Sequence, residues 1–365
     1  MSLLRAHLAG VACTLALLGA MAAHAAEGGA PDLSLTVEQL PIASGRAIAR
    51  VAIHGQAPLH CAPEVGRIWL DDADFSVELK SPTQGCDDSR QLPFTLRVDP
   101  RASGLPLPSN RVVRVRVYRS IGATPVLAAF RLFDTGPATA AQVPENGFWW
   151  STADAGGGEA VRATGTSLEW QDGELAVALY GFTETGAPTW YFGSARPSGR
   201  VARVGLVQLA GGEPLLASTG GQPQALPGPR LEIEFLSPSQ ARAWLVRVED
   251  GRDVQLRPMM LSRARFANDD GGSTWSGRWV LVPEDGQPRT FEFRAGSQGG
   301  EGFQLNDAAN DARLDCRLPV AGGLPDLCTL SVGAQPMADF DRIGFDRLGG
   351  RGHDGAPATL VRVQR

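Results

Sequence analysis

The sequence has very little lysine and histidine and few long apolar stretches. Lys80 is the only lysine, so arginine supplies nearly all the positive charge, and 34 basic against 39 acidic side chains give a net charge of −5. An acidic chain with interspersed charges offers no footprint for nucleic acid or an anionic membrane. After residue 25 no segment approaches the roughly 18 consecutive apolar residues of a membrane span, so we expect no transmembrane segment.

Motifs that would identify an enzyme are also missing. Outside the first 25 residues the histidines are His54, His60 and His353. The nearest approach to a GxSxG motif is AGSQG around Ser297, in a Gly-rich stretch that lacks the helix of a nucleophile elbow. The acidic segment 307–315 lacks the ligand alternation of a calcium loop, so no metal site is predicted. No phosphate loop or dinucleotide fingerprint occurs, so we expect no cofactor.

The N-terminus has the composition of a secretory signal peptide. Arg5 and His7 precede an apolar stretch from Leu8, and Ala23-His24-Ala25 places small residues at the cleavage positions. This pattern predicts a leader over residues 1–25. We therefore expect an exported protein, either periplasmic or extracellular.

Four cysteines follow the predicted leader: Cys61, Cys86, Cys316 and Cys328. An even number in an exported chain indicates disulfides. The two local pairs, Cys61–Cys86 and Cys316–Cys328, fit separate domains best among the three possible connectivities. Their separations do not suit a zinc site, which favours CxxC-like spacing.

Glycine and proline are frequent, 44 and 26 residues respectively, and they separate short apolar-polar alternations. This pattern without long helical periodicity predicts an all-β protein. Residues 32–135 hold seven candidate strands, which predict an immunoglobulin-like sandwich. Residues 136–146 are predicted to be a linker. Antiparallel meander sheets or barrel-like units are predicted for residues 147–266 and 267–365.

Two strands carry charges at alternate positions. Arg114 and Arg116 alternate with valines in RVVRVRVY, and Glu232 and Glu234 alternate with apolar residues in LEIEF. Antiparallel sheets commonly expose one face, so both charged rows are predicted to face solvent. Three residues recur at an offset of 100 positions, which suggests internal duplication as a hypothesis. The pairs are Glu184/Glu284, Gly186/Gly286 and Pro188/Pro288.

Residues 147–266 carry a tryptophan-rich pattern. It comprises Trp149, Trp150, Asp154, Gly156, Gly158, Glu169, Gln171, Gly173, Gly186, Pro188, Trp190, Tyr191, Gly220, Gly221, Gln222 and the segment SRARF. The pattern resembles that of a group of tryptophan-rich β-domains in exported Gram-negative proteins, a family without an established activity. Here EAVRATGTS resembles an insertion, and Asp172 separates Gln171 from Gly173. The resemblance implies a fold and a compartment, and no reaction.

Aromatic residues are the candidate ligand-binding site: Trp149, Trp150, Trp170, Trp190 and Tyr191. Exposed rings can stack on sugars, whereas buried rings fill a small core. Neighbours in a strand face opposite ways, so one member of each adjacent pair is expected inside and the other at an interface or site.

These observations favour a non-catalytic binding or interaction protein, with a glycan or an envelope protein as the possible partner. That hypothesis requires an exposed aromatic patch. One alternative is a secreted hydrolase at a domain junction, which requires Ser297 or a carboxylate pair to converge with His353. A purely structural surface protein, with all aromatic residues buried, is the other.

Overall fold

The computed structural model describes residues 33–43, 45–82, 85–106, 108–109, 111–121, 124–136, 143–152, 164–213, 216, 220–264, 271–284, 286–319 and 324–364. Within these ranges the chain forms β-strands joined by turns, with 3-10 helices at Pro100–Ser103 and Gly271–Trp275. The all-β prediction is confirmed. No helix in the described ranges is long and apolar enough to cross a membrane. The predicted leader and residues 137–142 of the predicted linker lie outside the described residues.

The first seven strands form two sheets that share one core. They are β1 (Leu33–Ile42), β2 (Gly45–Leu59), β3 (Glu64–Asp71), β4 (Asp74–Lys80), β5 (Asp87–Val98), β6 (Val112–Ile121) and β7 (Thr124–Asp134). The strand orders are β1-β2-β5 and β3-β4-β6-β7. The core contains side chains from both sheets, such as Ile53 and Val115. A two-sheet sandwich is thus observed where seven strands were predicted.

One pairing in the sandwich differs from an immunoglobulin domain. β4 and β6 run parallel, with Val77 opposite Val117, whereas immunoglobulin sheets are antiparallel. The immunoglobulin-like assignment therefore stays a prediction.

The next eight strands close into a barrel, called here the first barrel. They are β8 (Gly147–Thr152), β9 (Gly165–Gln171), β10 (Glu174–Phe182), β11 (Pro188–Ala195), β12 (Val201–Ala210), β13 (Gln224–Ser237), β14 (Gln240–Glu249) and β15 (Arg252–Arg263). Asp172 and Gly173, both with positive φ, form the tight turn between β9 and β10, as the Asp-Gly sequence predicts. Inward-facing apolar side chains such as Leu168, Val177 and Ile233 fill the interior.

A second closed barrel follows. Its strands are β16 (Gly277–Pro283), β17 (Arg289–Gly299), β18 (Gly302–Asp307), β19 (Ala312–Arg317), β20 (Leu327–Val332), β21 (Gln335–Ile343), β22 (Arg347–Gly352) and β23 (Pro357–Gln364). Its core is rich in aromatic rings, with Trp275, Trp279 and Phe340 fully buried. The predicted antiparallel, barrel-like units are therefore confirmed.

The two barrels begin in the same way. In each, a glycine with positive φ (Gly147 or Gly277) starts the first strand. A buried tryptophan follows two residues later, and its indole N–H donates to the carbonyl four residues earlier: Trp149 to Glu145 O at 3.1 Å and Trp279 to Trp275 O at 2.8 Å. The barrels are therefore equivalent at an offset of 130 residues. The three residue pairs at an offset of 100 instead match the β10–β11 turn with the β16–β17 turn. These turns are not equivalent, because one follows the third strand of its barrel and the other follows the first.

An arginine of the last strand completes this arrangement in both barrels. Arg263 lies opposite Trp149 and donates to Asn146 O. Arg362 lies opposite Trp279 and donates to Ser276 O, the carbonyl that is equivalent to Asn146 O. Each arginine thus binds the backbone where the chain enters its barrel.

The two charged rows that were predicted to face solvent lie between the sandwich and the first barrel. The guanidinium of Arg114 lies 5.8 Å from the Trp244 ring centroid, and Arg116 lies 5.9 Å from that of Phe130. Glu232 is 1% exposed. The prediction was wrong for Arg114, whose guanidinium lies over a ring of the first barrel, and for Glu232, which is buried.

Four charged side chains are buried in this interface: Arg131, Arg230, Glu232 and Asp253. Asp253 accepts hydrogen bonds from Arg131 at 3.2 Å and from both terminal nitrogens of Arg230 at 3.0 and 2.8 Å. Glu232 accepts a hydrogen bond from Arg230 Nε at 3.0 Å. Burial, followed by repulsion from Arg230 and Arg203, lowers the pKa of Arg131 to about 10, so it remains charged at neutral pH.

Glu145 joins the two barrels. Its Oε1 accepts hydrogen bonds from the backbone N–H groups of Asp346 at 2.6 Å and Arg347 at 3.2 Å. The hydroxyl of Ser239 donates to Ile343 O at 2.7 Å in the same contact. Burial raises the pKa of Glu145, and the backbone hydrogen bonds only partly oppose this effect.

Both predicted disulfides are confirmed. Cys61–Cys86 joins the ends of the paired strands β2 and β5. Cys316–Cys328 joins directly opposed residues of β19 and β20 within the core of the second barrel.

Candidate functional site

Exposed aromatic side chains gather on the outer face of β8–β11. We call this set the aromatic cluster; its members are Phe148, Trp150, Tyr180, Phe182 and Trp190. They line a shallow groove of about 560 Å³ together with Pro188, Thr189, Gly165 and Gly181. The lining is almost entirely apolar, which distinguishes it from a typical protein surface.

Strand register brings the rings together. Trp150 lies opposite Gly165, Gly165 opposite Tyr180, and Tyr180 opposite Trp190. Adjacent strands are about 4.8 Å apart, so this row of four residues extends for roughly 14 Å across the barrel. Phe182 is two residues from Tyr180 on the same face, which extends the cluster toward one end of the barrel.

Gly165 leaves room for a ring in the middle of the row. A Cβ atom at this position would overlap the Phe148 ring, which therefore lies across the glycine. The Phe148 centroid is 6.0 Å from that of Trp150 and 6.3 Å from that of Tyr180. Aromatic side chains often cover a strand glycine in this way. The Phe148 ring therefore lies between Trp150 and Tyr180, at interplanar angles of 39° and 28° to their rings.

The tryptophans of the cluster are exposed, whereas the other tryptophans of the two barrels are buried or half-buried. Trp150, Tyr180 and Trp190 are 46%, 44% and 43% exposed, and Phe182 is 68% exposed. Large apolar rings that remain this accessible side by side typically mark an interaction site.

The polar edges of these rings also remain available. Within the described part of the chain, neither the Tyr180 hydroxyl nor the indole N–H of Trp150 or Trp190 has a hydrogen-bond partner. Three buried indoles instead donate to a backbone carbonyl, at 3.1 Å for Trp149, 2.8 Å for Trp275 and 2.8 Å for Trp279. The cluster therefore offers apolar ring faces with hydrogen-bonding groups at their edges.

Only two of the five predicted ligand-binding residues belong to the cluster. Trp150 and Trp190 do, but Trp149 is fully buried in the first-barrel core, so its prediction as a ligand contact was wrong. Trp170 is half-buried against the same core and lies toward the other end of the barrel. Tyr191 also points inward and packs against the core, near the end of the barrel that holds the β10–β11 turn.

The predicted ligand-binding set did not include three members of the cluster, Phe148, Tyr180 and Phe182. Phe148 is two positions from Trp150, and Phe182 is two positions from Tyr180, so alternation places each pair on one face. Register across the hairpins then joins the two pairs. Asp154, Gly156, Gly158 and Phe266 of the tryptophan-rich pattern lie outside the described residues.

No protein-family model matches the sequence, and no curated protein matches it. The resemblance to tryptophan-rich domains therefore stays a prediction from the motifs. The site has to be interpreted from its own geometry.

The predicted hydrolase residues do not converge. Ser297 lies near the end of β17 and His353 lies in the β22–β23 turn; these positions are at opposite ends of the second barrel. Among the described residues, no group of three His, Cys, Asp or Glu side chains is arranged to hold a metal ion.

Asp307, in the acidic segment 307–315, has an identifiable structural role. Its carboxylate accepts hydrogen bonds from the backbone N–H groups of Glu292, Ala309 and Asn310. Although burial acts to raise its pKa, hydrogen bonds from Asn310 and these backbone groups hold it below the usual range. The carboxylate therefore stabilises the β18–β19 turn.

Proposed function

We propose that the protein is an exported, non-catalytic binding protein whose aromatic cluster stacks on the apolar faces of a saccharide chain. The observation that carries this proposal is the row of exposed rings with free polar edges. Sugar rings present C–H groups on their faces and hydroxyls at their rims. Trp150, Tyr180 and Trp190 complement both: the ring faces contact the C–H groups, and the edges bind the hydroxyls.

The dimensions and composition of the groove support the same function. A row of roughly 14 Å accommodates a short stretch of a linear chain rather than one small molecule. The shallow groove leaves both ends of a polymer free to continue. Two disulfides are compatible with a non-cytoplasmic location, where polysaccharides are accessible.

The alternative functions have less support. A hydrolase that uses Ser297 and His353 would need the two side chains together, and they occupy opposite ends of the second barrel. A purely structural protein would bury its aromatic residues, whereas Trp150 and Phe182 are exposed.

The experiment is a titration of the mature protein with soluble polysaccharides, monitored by intrinsic tryptophan fluorescence and by calorimetry. Trp150→Ala and Trp190→Ala should each weaken binding at least tenfold, because truncating an aromatic anchor costs about 2 kcal/mol or more. Trp69→Ala is the matched control, since Trp69 is a partly exposed ring that stacks on Tyr118 in the sandwich. Equal losses in the control and cluster variants, or unchanged affinity in the cluster variants, would contradict the proposal.

A further inference from the structure

Among the residues that the structure describes, the first barrel is open at the end nearest the aromatic cluster. A cavity of about 530 Å³ lies there, between the β10–β11 turn and the ends of β13, β14 and β15. We call it the barrel mouth. Phe182 lines both the barrel mouth and the groove of the aromatic cluster. A ligand that lies on the cluster therefore has a direct path over Phe182 into the mouth.

Inward-facing side chains give the barrel mouth a different chemistry from the cluster. Tyr191, Gln208, Leu245 and Arg257 contribute to its lining. Gly228 packs against Tyr191; a Cβ on this glycine would be 2.8 Å from Cδ1 of the ring. The close backbone approach fixes the tyrosine at the rim. Its hydroxyl has no hydrogen-bond partner in the described part of the chain.

The two arginines of the barrel mouth differ in their partners. Arg247 forms ion pairs with Glu184 at 3.1 Å and Glu249 at 2.6 Å, two carboxylates that more than balance its charge. Arg257 lies opposite Leu245 and is exposed. Across the described residues, no ion pair or hydrogen bond engages the Arg257 side chain.

An arginine without a counter-ion in a ligand-sized cavity indicates an anionic ligand group. The planar guanidinium binds a carboxylate through two parallel hydrogen bonds, which gives both affinity and orientation. The Tyr191 hydroxyl, which reaches the same cavity from β11, provides a further donor. The whole chain has a net charge of −5, so its overall electrostatic field repels an acidic polymer. Binding of such a polymer therefore depends on a local positive charge, which Arg257 provides.

We propose that the barrel mouth is a second subsite that binds a carboxylate of the saccharide through Arg257 and Tyr191, so that the ligand is an acidic, uronic-acid-containing polysaccharide. This inference rests on the function proposed above. Neutral rings of the chain lie on the aromatic cluster, and a neighbouring acidic residue passes Phe182 to reach Arg257.

The test compares three acidic polysaccharides, alginate, polygalacturonate and cellouronate, with the carboxyl-reduced neutral form of each. The proteins are the mature wild type, Arg257→Gln, Arg257→Lys and Arg294→Gln. Arg294 is an exposed arginine of the second barrel and serves as the charge-matched control. Circular dichroism and thermal unfolding establish that each variant is folded.

We expect the wild type to bind at least one acidic polysaccharide about tenfold or more tightly than its reduced form, as for a charge-assisted hydrogen bond. Arg257→Gln should lose this preference but retain binding of the neutral form. Arg257→Lys should retain part of it, and Arg294→Gln all of it. Added salt should reduce the preference.

Two results would overturn the inference in distinguishable ways. Equal binding of acidic and reduced forms, or a preference that survives Arg257→Gln, refutes the carboxylate subsite while cluster-dependent binding still supports the proposed function. Absence of binding to every polysaccharide in both forms refutes the subsite and the saccharide-binding function together.

Discussion

Asp253→Asn is the most direct perturbation of the interface between the sandwich and the first barrel. The Asp253 carboxylate accepts hydrogen bonds from the Phe130 backbone N–H at 2.6 Å, from Arg131 and from Arg230. Asparagine has nearly the same shape but carries no charge. The substitution therefore tests electrostatics with little change in packing.

The expected magnitude follows from the charge balance of the interface. Arg131 and Arg230 are balanced by Glu232 and Asp253, and all four are largely buried. Arg203 also pairs with Glu232 at 3.0 Å, but its side chain is 44% exposed and its charge is therefore in contact with solvent. Without the Asp253 charge, one positive charge remains uncompensated away from water. Removing one partner from a buried ion pair costs about 3–5 kcal/mol. Arg131, with a pKa of about 10, does not escape this cost by losing its proton at neutral pH.

Urea unfolding monitored by calorimetry and fluorescence measures the effect. With a slope of about 1–3 kcal/mol per molar urea, a loss of 3–5 kcal/mol lowers the midpoint of the transition that includes the interface by about 1 M or more. Asp172→Asn is the control, because Asp172 is an exposed turn residue with positive φ, a conformation that asparagine tolerates. A midpoint no lower than that of the control would refute the assignment of a stabilising, largely buried network.

Three further predictions concern pH, redox state and the site. Burial raises the pKa of Glu145, so its contribution to stability is full below about pH 4.5 and is lost as pH rises through the folded-state pKa. Glu145→Gln should therefore gain thermal stability relative to wild type as the pH is raised from 4.5 to 7. A difference in thermal stability between the two proteins that does not change with pH would contradict this. Mild reductant should open the Cys61–Cys86 disulfide before Cys316–Cys328, because Cys86 is exposed whereas Cys316 and Cys328 are both buried. Alkylation and mass spectrometry measure the order of reduction, and the reverse order would be inconsistent with these burials. Gly165→Ala should displace the Phe148 ring, cost about 1–3 kcal/mol and weaken saccharide binding. Gly205→Ala in β12, where an added Cβ meets no atom within 4 Å, should do neither, and similar effects of the two substitutions would argue against the role of Gly165.

Local alternation predicted the strands and the facing of adjacent residues well. Trp149 is buried and Trp150 is exposed, as neighbours in a strand require. The Asp172-Gly173 turn was readable because both residues favour positive φ. These features depend on a few consecutive residues and on the period-two geometry of strands.

Features that depend on distant segments were not predictable from such patterns. Arg114 and Glu232 alternate with apolar residues as solvent-facing residues do, but each lies against the other structural unit. The aromatic cluster combines Phe148 and Trp150 with Tyr180 and Phe182 through strand register, which sequence patterns specify only once the pairing is known. Alternation of apolar and polar residues identifies the two faces of a strand, but it does not show which other part of the chain covers each face.

The first strands of the two barrels, β8 and β16, have the same buried tryptophan but different outward-facing neighbours. Phe148 and Trp150 flank the buried Trp149, and their counterparts beside Trp279 are Arg278 and Val280. The same backbone thus displays aromatic rings in one copy and a cation with an aliphatic side chain in the other, above equivalent buried tryptophans. Exchange of these flanking residues would alter the outer surfaces and leave both interiors unchanged. The residues of the proposed binding surface and those of the core therefore lie on opposite faces of a single strand.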